Sequence, residues 1–306
     1  MGNYAMTLLK ILGLGAALSL KAALAADPAP PPPPPPEAWR TVDPQNLVLI
    51  DTKYGQVAVE LAPEFAPNHD ARLRALIRAH FYDGLSFYRV IDGFVAQGGI
   101  GEGTASTKDH PVEAKTLDKW PPLKAEFDRA SGPAPVFMPL GNADLMAPEV
   151  GFENGFPVAR DSAAGREWLI HCPGTFAFAR DNDPDTATTE FYIVIGQAPR
   201  RLDRDLTAFG RVLSGQQYLQ KLERGDPEVD SGVIADLSKR DAIIRMRIAA
   251  DVPASERPSF QVIRTDSKTF ADSVEARRHP TSPFYFRKPP PVLDICGVPV
   301  TVKRAS

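Results

Sequence analysis

Cysteine is nearly absent: Cys172 and Cys296 are the two thiols among 306 residues. That scarcity excludes a disulfide scaffold and a cysteine-based structural zinc site. An excess of positive charge is also missing, with 35 Lys+Arg against 38 Asp+Glu and a net charge of -3. A nucleic-acid binder would need a basic face, so that class is excluded. No apolar run reaches the roughly 18 residues of a spanning helix, so the mature chain is expected to carry no membrane span. Gly-x-Ser-x-Gly, His-Glu-x-x-His and internal repeats are missing too. The histidines at 69, 80, 110, 171 and 279 stand singly, which points to surface or turn positions and not to a metal site.

Proline is present in excess, at 31 residues, about twice ordinary usage. Seven of them form the run Pro30–Pro36. Ahead of it, Lys10, the apolar stretch 11–20 and Ala23-Leu24-Ala25 have the layout of an export signal over residues 1–25. The mature chain is therefore expected in a periplasm or outside the cell. Residues 26–44 are predicted to be a polyproline II spacer, because proline lacks the N–H and fixes φ near -65°.

Alternating apolar residues predict eight short strands, at 46–51, 56–61, 86–91, 94–98, 174–180, 190–195, 208–213 and 242–249. Leu73, Leu76 and Ile77 fall at helical spacing after Pro67, predicting a helix over 67–80. A second helix is predicted over 216–224. Eight strands suit a small closed antiparallel barrel whose interior is filled by side chains. Residues 130–169 show no clear period and are expected to be a long inserted loop. Residues 251–306 are expected to be a C-terminal extension, with one docking strand near Val292–Cys296. In an oxidising compartment Cys172 and Cys296 could pair, or remain two separate thiols.

Short motifs mostly fail. Asp181-Asn182-Asp183-Pro184-Asp185 starts like a calcium loop, but Thr186 and Tyr192 occupy the positions that need Gly and Glu. Gly98–Gly103 is glycine-rich, yet no helical pattern follows to bind a phosphate.

One constellation is of a different order. The stretch Phe81 to Gly99, which contains Phe87-Tyr88-Arg89 and Phe94-Val95-Ala96-Gln97-Gly98-Gly99, resembles the signature of the cyclophilin-type peptidyl-prolyl cis-trans isomerases. The resemblance continues, in order, in Phe176-Ala177-Phe178-Ala179-Arg180, Thr189-Glu190-Phe191-Tyr192-Ile193, Leu202-Asp203 and Ala208-Phe209-Gly210-Arg211-Val212. It covers 45–250 apart from the insertion. It implies a mainly β, cyclophilin-like closed eight-stranded barrel with two helices. The implied activity is isomerisation of X-Pro bonds in unfolded or extended polypeptides, by a monomer with no cofactor and no metal. Arg89, Phe94 and Gln97 match the catalytic positions. Val95, Ala179, Arg180, Glu190, Tyr192, Leu202 and Leu206 match substrate-binding ones. Departures are Tyr88 for the usual His, Glu190 for Gln, Tyr192 for Phe, and Arg201 and Leu206 where many members carry Trp and His. The alternatives are a peptide-binding chaperone module with little catalysis and a structural envelope protein.

Overall fold

The computed structural model describes residues 33–101, 119–132 and 136–305. The expected export signal, the first part of the proline run and His110 lie outside these residues. From the N-terminal side, β1 (Trp39–Thr41) precedes a hairpin of β2 (Leu47–Thr52) and β3 (Gly55–Leu61). Helix α1 (Pro67–Arg78) leads to β4 (Ser86–Val90) and β5 (Val95–Gly99). Next come β6 (Arg129–Ala130), β7 (Met138–Pro139), β8 (Glu149–Glu153), β9 (Phe156–Asp161) and β10 (Arg166–Leu169). The chain returns as β11 (Thr175–Phe178), β12 (Phe191–Val194) and β13 (Ala208–Ser214), followed by α2 (Gln216–Leu219). It closes through β14 (Asp241–Ala242), β15 (Arg245–Ile248), β16 (Phe260–Ile263), α3 (Lys268–Arg278) and β17 (Val302–Arg304).

The main sheet has nine strands in the order β14-β4-β5-β12-β11-β13-β3-β2-β15, and every neighbouring pair is antiparallel. All eight expected strands lie in it, but the last is split, so the closed eight-stranded barrel is corrected to an open nine-stranded sheet. The split has a local cause. Ile243 N–H donates to Leu85 O (2.7 Å), whereas Ile244 N–H donates to Asp51 O (2.9 Å). Successive residues thus bond to opposite edges, and one chain segment carries both edges of a curled sheet.

The sheet encloses an apolar core that includes Val48, Ile50, Val59, Phe87, Phe176, Phe191, Ile193 and Phe209. Helix α1 starts with Pro at its first position, where a missing N–H costs nothing, and buries Leu73, Leu76 and Ile77 against this core. Helix α2 spans one turn, Gln216–Leu219, shorter than the expected 216–224.

Three other expectations change. Residues 130–169 are not one long loop: β6-β10-β9-β8-β7 form a five-stranded antiparallel layer. Its central hairpin turns at Asn154-Gly155, with φ of 48° and 83°, the two-residue turn that Asn-Gly favours. The spacer ends earlier than expected, because Trp39–Thr41 pairs with β16 and Ala38 and Val42 are buried. The C-terminal region is integral to the fold. Phe270, Val274, Ile295 and Val298 share a second core with Phe152, Trp168 and Ile170 of the inserted region. The docking strand is β17 and not 292–296, where Ile295–Gly297 makes a helical turn. Cys172 and Cys296 form a disulfide that pins this turn to the segment directly after β10.

Candidate active site

Arg89 and Gln97 face each other across the hairpin β4–β5. In regular pairing, Tyr88 and Arg89 would point to opposite faces of the strand. The register instead slips between Phe87 and Arg89: Phe87 pairs with Gly98, and Arg89 pairs with Gln97. This bulge lets both residues reach one glutamine. Arg89 Nη1 donates to Gln97 Oε1 (3.1 Å), and Gln97 Nε2 donates to the Tyr88 hydroxyl oxygen (2.6 Å). Arg89 Nε donates to the carbonyl of Ser231 (2.7 Å). The guanidinium is therefore aimed from two sides, and burial draws its pKa down from the usual range.

The turn that joins the two strands needs glycine. Gly93 sits at φ 69°, and Gly196 approaches it so closely that a Cβ there would overlap the Gly93 carbonyl carbon. This contact seats Phe94 and Val95 beside β12. Tyr192 pairs with Gln97 in the ladder, so both stand at the same level of the site.

A cleft of about 220 Å³ is lined by Arg89, Phe94, Val95, Gln97, Ala179, Arg180, Tyr192, Leu202 and Leu206. Nine of the ten residues picked from the sequence therefore converge on one cavity. Its floor is apolar, and Val95, Ala177, Tyr192 and Ala208 belong to one packed cluster with Phe94 and Leu206. Arg201 lies over the Phe94 ring, 5.5 Å from its centroid, as a cationic lip where an indole is common in the family.

Glu190 is the exception. It is not among the residues lining the cleft. Its Oε1 accepts from Ile100 N–H (2.8 Å), and the carboxyl lies so close against Gly99 that a Cβ there would collide with it. Burial raises its pKa, opposed by hydrogen bonding to Tyr88 and to backbone N–H groups.

Sequence reasoning missed three participants. Tyr88, noted only as a departure from the usual His, is part of the hydrogen-bond chain behind Arg89. The Ser231 carbonyl is supplied by the turn Asp230–Gly232, whose three residues all have positive φ. Asp-Ser-Gly is a turn signal, but its partner across more than a hundred residues is not readable from spacing. His171 was expected at a surface or turn. It is fully buried, and its Nε2 lies 2.8 Å from the Tyr192 hydroxyl. His69 departs in the same way, buried with Nδ1 2.7 Å from Glu126 Oε2.

An apolar cleft with one fixed guanidinium and one amide can grip a small ring, hold a peptide backbone and donate a hydrogen bond to a developing lone pair. No serine, threonine or cysteine is among the residues that line it, and its one hydroxyl, on Tyr192, is buried with its pKa pushed up.

Comparison with known proteins gives concordant results. The family described as cyclophilin type peptidyl-prolyl cis-trans isomerase/CLD matches residues 47–247. A probable peptidyl-prolyl cis-trans isomerase of Brucella suis biovar 1 (strain 1330) is 29% identical over 213 residues, covering 68% of this chain and 85% of the relative. Peptidyl-prolyl cis-trans isomerase B of Bacillus subtilis (strain 168) is 27% identical over 171 residues, or 56% of this chain and 85% of the relative. Among solved structures, cyclophilin AquaCyp293 from Hirschia baltica is similar, with a TM-score of 0.70 and 29% identity. That likeness covers 88% of this chain and 94% of the other, so it reaches beyond 47–247.

Proposed function

This chain belongs to the cyclophilin-type peptidyl-prolyl cis-trans isomerase family, and from that premise we propose that its cleft isomerises X-Pro bonds in unfolded or extended polypeptides. An X-Pro bond rotates slowly because amide resonance holds it planar, behind a barrier of about 18–20 kcal/mol. At the twisted transition state the resonance is broken and the prolyl nitrogen regains a lone pair. Arg89 donates to that lone pair, held on target by Gln97 Oε1 and the Ser231 carbonyl. The proline ring sits on Phe94, Val95 and Tyr192, which exclude water and strengthen the donated bond. No bond is made or broken, and no proton changes owner. The observation that carries this reading is the convergence on one cleft of the residues picked from the sequence, with Arg89 and Gln97 in contact.

We propose further that the protein works as a monomer outside the cytoplasm, periplasmic or secreted, on exported clients. The Cys172–Cys296 disulfide supports this, because such bonds persist in oxidising compartments. The test is an isomerisation assay on an Ala-Pro peptide, protease-coupled or by NMR exchange. Acceleration over the uncatalysed rate is expected. Peptide binding without acceleration would overturn the isomerase reading in favour of a chaperone module.

A further inference from the structure

Tyr192 is an anomaly in an apolar pocket, because it brings a hydroxyl into a wall that is 4% exposed. A buried hydroxyl without a partner is destabilising, so its bond decides how the ring stands. The partner is His171, itself fully buried, with Nε2 2.8 Å from the hydroxyl and its ring within 13° of parallel to the tyrosine ring.

The histidine is fixed in turn. Its Nδ1 lies 3.0 Å from Asp203 Oδ1, and the same oxygen accepts from the His171 backbone N–H at 2.9 Å. With Nδ1–H donating to a carboxylate, Nε2 of the neutral ring accepts from Tyr192. Asp203 Oδ2 accepts from Arg200 Nε (2.6 Å), and the other two guanidinium nitrogens donate to Asp144 at 3.1 and 3.0 Å. Asp144 lies between β7 and β8 of the inserted region. Arg200 opens the turn Arg200–Leu202, and Leu202 also lines the cleft. A single chain of satisfied bonds thus sets both the floor of the pocket and its wall. His69 offers the contrast: equally buried, its Nε2 finds no hydrogen-bond partner among the described residues.

We propose that His171 is a positioning residue for the proline pocket, acting through the Tyr192 hydroxyl, and that the Arg200–Asp144 pair makes the inserted sheet part of the active site. This rests on the isomerase reading. Burial works against the Asp144 carboxylate, but Arg200 and the backbone outweigh it and hold its pKa below the usual range. Asp144 therefore stays ionised at neutral pH.

The test is a four-protein comparison on an X-Pro peptide: wild type, His171→Leu, Tyr192→Phe and the double variant. His171→Leu strands the tyrosine hydroxyl and is expected to raise KM about tenfold with a smaller change in kcat. Tyr192→Phe removes the group through which His171 acts. In that background, His171→Leu should change KM by less than about twofold, because contacting residues are non-additive. Asp144→Asn should raise KM about two- to threefold with Tyr192 present and leave it unchanged in the Tyr192→Phe background. It provides a remote variant should His171→Leu fail to fold. Equal factors for either substitution in both backgrounds would show general disruption and overturn the proposal, as would an unchanged KM. If the wild type does not accelerate isomerisation, the functional reading fails. The relay is then judged separately from the peptide Kd of the same proteins, with the same non-additivity supporting it and additivity overturning it.

Discussion

The two large sheets bury themselves by different chemistry. Inside the nine-stranded sheet the contacts are aromatic and aliphatic: Phe176 stacks on Phe191 at 5.2 Å, and Phe209 meets both Phe176 and Phe178 edge to face. The inserted five-stranded sheet has apolar contacts too, but it adds buried carboxylates. Glu153 and Glu167 are 1% and 0% exposed, both are clamped by Arg129, and Glu167 also by Arg160. Glu60 of the main sheet is held the same way by Arg40 and Arg211, and Arg211 lies over Phe156 of the inserted hairpin. An apolar core loses stability in proportion to what is removed. A buried ionic cluster fails when either partner goes, because the remaining charge cannot be solvated.

The largest effect should come from the staple on the ionic side. The disulfide closes a loop of 124 residues, for which chain entropy gives at most about 5 kcal/mol. Reduction, or Cys172→Ser with Cys296→Ser, should lower the urea midpoint sharply. An unchanged midpoint would mean that the C-terminal region holds without it.

Next in size is Glu167→Ala, which should cost about 3–5 kcal/mol by leaving two arginines facing each other. Replacing Glu153, Glu167, Arg129 and Arg160 together by leucine or methionine, so that no buried charge is left without its partner, should recover much of that loss. If the quadruple variant is no better than the single one, the cluster is a specific requirement of this sheet and the comparison of the two regions is wrong.

Third comes Arg89→Ala, which tests the cleft and not the cores. Loss of one preorganised donor should reduce kcat/KM by about two to three orders of magnitude, roughly 2.7–4 kcal/mol, with an unchanged melting curve. Equal turnover in mutant and wild type would sink the mechanism.

The same division explains what could be read from the chain. Strands of the main sheet announce themselves by alternation, and its cleft residues sit in contiguous blocks of sequence. The bulge at Tyr88 does not, because it appears only when two strands are aligned. The inserted sheet was legible in one place, Asn154-Gly155, and the proline and glycine content around it hid that signal. Its ion pairs were not legible at all. Arg129 and Glu167 are 38 residues apart, and nothing local in either says that they meet.

Glu190 gives a smaller effect with the opposite sign. Burial raises its pKa in the folded state, so the native protein holds that proton more tightly than the unfolded chain. Its contribution is favourable below the unfolded value and is lost as pH rises through the folded one. Glu190→Gln keeps an oxygen for Ile100 N–H and should therefore stabilise the protein at pH 7, with the gain shrinking as pH falls through the raised folded value and gone below about 4. A destabilised Gln variant at pH 7 would show that the charge itself is needed beside Tyr88.

The smallest effect concerns which peptides the cleft prefers, and it turns on where the Glu190 carboxylate lies. A carboxylate at position 190 beside the groove would favour Lys or Arg near the proline, but Glu190 turns to Ile100 and does not line the cleft. The charged side chains lining it are Arg89 and Arg180, with Arg201 over Phe94. Among the described residues none of these three makes a salt bridge. Arg180 donates to the carbonyls of Asp205, Asp181 and Asn182, which fix its position without neutralising it. The field at the mouth is therefore positive, and Asp or Glu next to the X-Pro pair should be favoured. Exposure and solvent screening limit the preference to about 1 kcal/mol, roughly fivefold in kcat/KM, and salt above physiological strength should reduce it. Matched peptides carrying Glu or Lys beside Ala-Pro, assayed at low and high salt, measure it directly. Arg180→Gln should shrink the ratio between them. A preference for Lys at low salt would return the carboxylate of Glu190 to the groove.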